Sequence, residues 1–88
     1  MDSAEALRVI RGLARANRIW LTAHAKREAA ECGATHEDIR CALVNARSVR
    51  ASGRGRASAW TVVGQDSVGD DLEIALIIED GLLIITVY

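Results

Sequence analysis

Leu7, Ile10, Leu13 and Ala14 recur at helical spacing and predict a first, core-facing helix. Asp2 or Ser3 caps it, Glu5 lies in its first turn where the dipole favours an anion, and Asn17 is its stop. Arg8, Arg11, Arg15 and Arg18 fall on one flanking arc about 80° wide at helical pitch. Ile19–Thr22 then alternates as a short strand, and Thr22 caps a second helix that runs to about Cys32 and stops at Gly33. Ala25, Ala29 and Cys32 form its expected buried face; His24, Arg27, Glu28 and Glu31 occupy another. Thr35 and Asp38 make a capping box that opens a third helix, with Ile39, Ala42, Leu43 and Ala46 inward.

After Asn45 the period changes from helix to strand. Residues 48–52 read as a strand, Gly53–Arg56 as a loop, and Ala59–Val63 as the next strand. Gly64–Asp70 is expected to be a polar loop. Leu72–Ile78 and Leu82–Val87 are apolar strands joined through Asp80-Gly81, expected as a two-residue hairpin turn. Their near-continuous hydrophobicity predicts burial on most of both faces. The pattern predicts one α+β domain over residues 1–88, its N-terminal helices covering an antiparallel sheet of about four to five strands.

Composition adjusts this picture in two ways. Half of the 88 residues are hydrophobic, but Phe and Pro are absent, so the core must come from Ala, Val, Leu and Ile. Charge is divided along the chain. All 11 Lys and Arg lie in residues 1–56 beside six acidic residues, a net of +5; residues 57–88 hold six acidic residues and no base, so the total is −1. Such a basic half implies either a local anion-binding surface or pairing between the two halves. The N-terminus lacks the apolar segment of a signal peptide and no apolar run approaches a membrane span, so a cytoplasmic chain away from membranes is expected. Cys32 and Cys41 read as buried free thiols, and their spacing with His24 and His36 does not suit zinc. No metal or other cofactor is expected.

Three groups could carry chemistry. His24 can exchange protons near neutral pH, and Arg27, one turn on, can hold a phosphate near a helix N-terminus. Together they could deprotonate an RNA 2′-hydroxyl and stabilise the attacked phosphate. Alternatively, His24 caps or packs locally and Arg27 pairs with Glu31. Arg50, Arg54 and Arg56 could follow a phosphate backbone while Trp60 stacks on a base, or Trp60 could be buried. Thr86 and Tyr88 end the chain on one strand face, where Tyr88 could donate a proton, stack on a base, or only pack against the sheet. His36, beside Glu37 and Asp38, reads as ordinary surface. No phosphate-binding loop, dinucleotide glycine pattern or nucleophile elbow occurs.

Thr22, His24, Ala25 and Arg27, followed by Gly33, a capped helix and the ending Ile85-Thr86-Val87-Tyr88, resemble a bacterial domain family of unknown function. The first half also resembles MqsR-type messenger-RNA interferase toxins, and both are similar in element order to the RelE-like ribonuclease superfamily. Cys32 stands where the first family has a second Arg, and Arg50 near where MqsR-type toxins place a catalytic Lys. The resemblance implies a toxin from a toxin–antitoxin pair, a metal-independent endoribonuclease cutting single-stranded RNA, with an antitoxin as partner and a homodimer left open. His24, Arg27, Arg50 and Tyr88 would then be catalytic, and Arg54, Arg56, Trp60 and Thr86 would bind substrate. The alternatives are a non-catalytic RNA- or protein-binding module of the same fold, and a purely structural partner of an acidic protein.

Overall fold

The computed structural model describes residues 1–52 and 59–88. Three helices precede most of the sheet, as the hydrophobic pattern implies. The Asp2 side chain accepts the Glu5 N–H and opens α1 (Ser3–Arg15). Asn17 takes a positive φ of 57°, and the N–H groups of Asn17 and Arg18 donate back to the Ala14 and Leu13 carbonyls, closing the helix end. β1 (Ile19–Leu21) follows, then α2 (Ala23–Cys32) between a Thr22 cap and left-handed Gly33. The reciprocal Thr35–Asp38 capping box starts α3 (His36–Val44).

The remaining chain is a meander of β2 (Ser48–Ala51), β3 (Ala59–Gln65), β4 (Asp71–Ile78) and β5 (Leu82–Val87). It returns to lie beside β1, giving the order β1-β5-β4-β3-β2. The β2–β5 pairs are antiparallel, but β1 runs parallel to β5, with Ile19 opposite Leu82. A parallel neighbour needs a long crossover, and here α2, α3 and the whole meander supply it.

All three helices lie on one face of this sheet. Ile10, Ile39 and Leu43 from the helices meet Val62, Ile74, Leu76 and Ile84 from the strands, all almost fully removed from water. Burial of this apolar surface is the main stabilising term. Because Phe is absent, the helices carry small residues at the contact, with Ala6, Ala14, Ala25, Ala29 and Ala42 all buried. They approach the sheet closely as a result. At Gly64 an added Cβ would lie 1.9 Å from the Ala42 carbonyl oxygen of α3.

Four local expectations need correction. Gly64 belongs to β3 rather than to the following loop, because α3 needs a strand position without a side chain beneath it. The β4–β5 connection has three residues between the paired Ile78 and Leu82, with Asp80 and Gly81 both at positive φ. Cys32 is exposed in the last turn of α2, whose buried residues are Ala25 and Ala29, and Cys41 is half-buried on α3, whose inward residues are Ile39, Ala42 and Leu43. The second face of β5 is only half-buried, because no helix covers it.

Arg11 and Arg18 of the first arginine arc, together with Arg40 and Arg47, tie elements together. Arg11 donates through Nε (2.9 Å) and Nη2 to the Ala46 carbonyl, fixing α1 to the start of the sheet. Arg40 donates to the Ala14 and Arg15 carbonyls, both at 3.1 Å, and so caps α1 from α3. Arg18 donates to the Asp80 carbonyl and lies 5.8 Å from the centre of the Trp20 ring. Arg47 grips Asp71 through two bonds of 2.6 and 2.7 Å, raising its own pKa and holding the Asp71 carboxyl below its usual range. The basic and acidic halves of the chain therefore pair in part. No helix among the described residues is long and apolar enough to cross a membrane.

Candidate functional site

Strand alternation divides the sheet into a helix-covered face and one that no helix among the described residues covers. Trp60, Val62 and Gly64 of β3 point to the helices, which sends Ala59, Thr61 and Val63 to the other side. Register then places Arg50 opposite Thr61, and Ala75 opposite both Thr61 and Thr86. Between Ala75 and Leu76 the β4–β5 register shifts, leaving Ile85 as the extra residue. Such a bulge re-aims side chains and bends the strand. Here Ile85 lines a half-open depression of about 400 Å³ with Arg50, Ser52, Ala59, Thr61, Ala75, Leu76, Ile77 and Tyr88. The meander thus brings the Arg50 and Tyr88 side chains, far apart in sequence, to one concavity.

The polar inventory of this depression is short. Arg50 is exposed, and its Nη2 lies 3.6 Å from Glu73 Oε2 on the same face. An exposed pair of this length contributes at most about 1 kcal/mol, so a phosphate offering two acceptors can compete for the guanidinium. Thr61 is the buried polar residue of the sheet among the described residues. Ser52 Oγ is buried with no hydrogen-bond partner among the described residues. An unpaired buried hydroxyl costs about 1–3 kcal/mol, a cost that a bound ligand's polar atom removes. Tyr88 is 58% exposed and is held by its N–H, which donates to the Glu73 carbonyl at 3.0 Å.

His24 and Arg27 lie elsewhere, exposed on α2. His24 Nε2 is 3.2 Å from Glu28 Oε1, and the same carboxylate oxygen accepts the Val87 N–H at 3.1 Å. β1 has ended by this point, so Glu28 satisfies an edge of β5 that no strand covers. Thr22 adds to this junction by donating from its N–H to the Ile84 carbonyl and from Oγ1 (3.5 Å) to the Ile85 carbonyl. His24 therefore stands behind the last strand, one carboxylate from Val87, and is not among the residues lining the depression. Arg27 forms no ion pair with Glu31 among the described residues.

Trp60 is 3% exposed on the helix-covered face, and its Nε1 has no partner among the described residues. A ring packed there offers no face to a base, which corrects the stacking role expected for it. Arg54 and Arg56 lie outside the described residues. Thr86 is half-buried opposite Ala75, and His36 Nε2 meets Asn17 Oδ1 at 3.2 Å on the surface. Cys41 has its thiol pKa raised by burial and by Glu37 one turn before it, which lowers its thiolate fraction. Among the described residues, no cluster of three or more His, Cys, Asp or Glu could hold a metal ion.

Glu73 is the residue that sequence reasoning passed over. Its signal was available: it is the only charged residue inside the apolar run Leu72–Ile78. Comparisons with protein-family models, curated proteins and solved structures give no match to this chain.

Proposed function

We propose that the uncovered sheet face binds single-stranded RNA and cleaves it by attack of a 2′-hydroxyl on the adjacent phosphate, as a messenger-RNA interferase-like toxin of the cytoplasm restrained by an antitoxin protein. The observation that carries this reading is that Arg50 and Tyr88 line one depression, with Glu73 beside Arg50. Cleavage needs a base for the 2′-hydroxyl, charge stabilisation at phosphorus, and a proton for the departing 5′-oxygen. Glu73 takes the hydroxyl proton, Arg50 holds the non-bridging oxygens as charge develops, and the Tyr88 phenol protonates the leaving oxygen. The new bond is 2′-oxygen to phosphorus, and the bond broken is phosphorus to 5′-oxygen. His24 acts through Glu28 and Val87, positioning the strand that carries Tyr88.

The test is cleavage of a labelled single-stranded RNA by the full chain, with growth of an expressing bacterial host as a second readout. Arg50→Ala and Glu73→Gln are each expected to slow cleavage by about 100-fold or more, the usual worth of a base or a charge stabiliser. His24→Ala is expected to slow it by less than about 10-fold, as suits a positioning residue. No cleavage by the wild type, or equal cleavage by Arg50→Ala, would sink the proposal.

A second reading is a non-catalytic binding module. It draws on the half-exposed Ile77, Leu83 and Ile85 beside Trp20, itself 53% exposed, an apolar surface of the kind partners cover. Salt separates the two. RNA binding must weaken steeply as salt rises, whereas docking of an apolar protein surface must not.

A further inference from the structure

The depression is more specific than a phosphate site. We infer that it is a single-nucleotide subsite, in which one unstacked base is seated between the Tyr88 ring and the Ile85 side chain, its edge meets the Ser52 and Thr61 hydroxyls, and its phosphate meets Arg50. This rests on the RNA reading above and names what that site selects. Three observations carry it.

The first is size. At about 400 Å³ the hollow sits in the range of small-ligand pockets and holds one nucleotide, but not a helical segment. The second is the distribution of polarity. Ala59, Ala75, Ile77 and Ile85 make apolar walls, while Arg50 supplies a cationic group at the lining and Tyr88 an exposed aromatic one. A nucleotide has the matching division, with a flat weakly polar base joined to a compact anion. The third is the hydroxyl pair. Thr61 is buried, and Ser52 Oγ is buried with no partner among the described residues, yet both residues line the hollow. A hydroxyl can donate or accept, so the pair can read a base edge, and a site built this way rejects a base that leaves it unpaired.

The geometry also states what does not bind. Trp60 faces the helices, so stacking in the hollow falls to Tyr88. A duplex would need its bases to stay paired, which excludes them from a concavity of this size. The subsite therefore takes a base from a single strand, and cleavage should depend on the identity of one nucleotide.

The experiment is an NMR titration of the isotope-labelled full chain with each ribonucleoside monophosphate, phosphorylated at 3′ or at 5′, and with inorganic phosphate alone. The expected result is saturable binding with shifts at Ser52, Thr61, Ala75, Ile85 and Tyr88, and unequal affinities among the four bases. Ser52→Ala is expected to lower affinity for the preferred base by about 3- to 10-fold, one hydrogen bond's worth. Tyr88→Leu should lower all four by about 10-fold, the loss of a stacking partner. Tyr88 is exposed, so that variant keeps its fold, and the amide spectrum verifies it. Inorganic phosphate binding as tightly as any nucleotide overturns the inference, and so does the absence of binding by every probe. Two further outcomes separate this inference from the nuclease reading. Nucleotide binding without RNA cleavage leaves the subsite standing and removes the nuclease. Cleavage whose base preference is unchanged in Ser52→Ala keeps the nuclease and removes the subsite.

Discussion

The two faces of this sheet are built from the same strands and do different work. On the helix side Val62, Ile74, Leu76 and Ile84 are at most 1% exposed and share one core with Ile10, Ile39 and Leu43 of the helices. On the other side the positions between them hold Thr61, Glu73, Ile77 and Ile85, a mixture of hydroxyl, charge and half-exposed apolar groups. Neither face is set by composition of the strands as a whole. Alternation assigns each residue to one role or the other, so stability and chemistry can be perturbed separately.

The sharpest test compares isoleucines from the two faces. Ile74→Ala opens a cavity in a fully buried position and should cost about 3–4 kcal/mol of stability. Ile85→Ala removes a half-exposed side chain and should cost about 1 kcal/mol. The order should reverse for nucleotide binding, where Ile85 lines the hollow and Ile74 does not. Urea unfolding of both variants beside a binding titration would break the two-face picture if the effects run together.

Two glycines give the next comparison. Gly64→Ala drives a Cβ into the Ala42 carbonyl oxygen at 1.9 Å and carbonyl carbon at 2.8 Å, both backbone atoms of α3, so the helix must move. A cost of roughly 3 kcal/mol is expected, as for overpacking a tight core. At Gly81 the Cβ meets a carbon of the Trp20 ring at 2.2 Å, a ring that is exposed and can swing away, and the Arg18 backbone carbonyl oxygen only at 3.0 Å. The cost of Gly81→Ala should then be smaller, about 1–2 kcal/mol including its positive φ. Equal melting temperatures for the two variants would mean that α3 does not rest on Gly64.

These cases explain what could be read from the chain. The helices, their caps and the pairing of β4 with β5, though not the length of its turn, were legible because each depends on residues within one or two turns, such as Thr35 with Asp38. The parallel placement of β1 was not, because it depends on the meander returning to Ile19 after more than half the chain has intervened. Trp60 shows the limit for the site. Its strand was evident, but which parity faces the helices follows from Gly64, and Gly64 reads locally as a loop residue. His24 shows the same limit. Its spacing to Glu28 was visible, while the demand of the Val87 N–H on that carboxylate is a contact between residues far apart in sequence. Arg50 and Tyr88 were recognisable as polar residues at strand positions, but their meeting needed the full register.

Long-range capping gives a smaller effect that also separates structure from chemistry. Arg40→Met keeps most of the side-chain bulk but loses the bonds to the Ala14 and Arg15 carbonyls. Those carbonyls are near water, so the loss should be about 1 kcal/mol in chemical unfolding. RNA binding should be unchanged, since Arg40 lies on the helix layer away from the hollow. A large drop in RNA affinity would instead place part of the anion surface on the helices.

The smallest expected effect lies in the pH dependence of Asp38, which belongs to neither face. Ser67 donates to it from the β3–β4 loop and Thr35 from the capping box, and these bonds hold its pKa at about 2 against an ordinary value of 3.8. A depressed carboxyl contributes stability above its unfolded value and loses it as pH falls through its folded value. The contribution should therefore be intact above about pH 4 and disappear towards pH 2. Ser67→Ala removes the leading cause of the shift, so its stability should fall below wild type near neutral pH and converge with it at about pH 2. Urea midpoints measured from pH 6 to pH 2 would show this. A gap that stays constant over that range would mean that Ser67 acts by packing the loop and not through the Asp38 carboxylate, leaving the capping box to hold the charge alone.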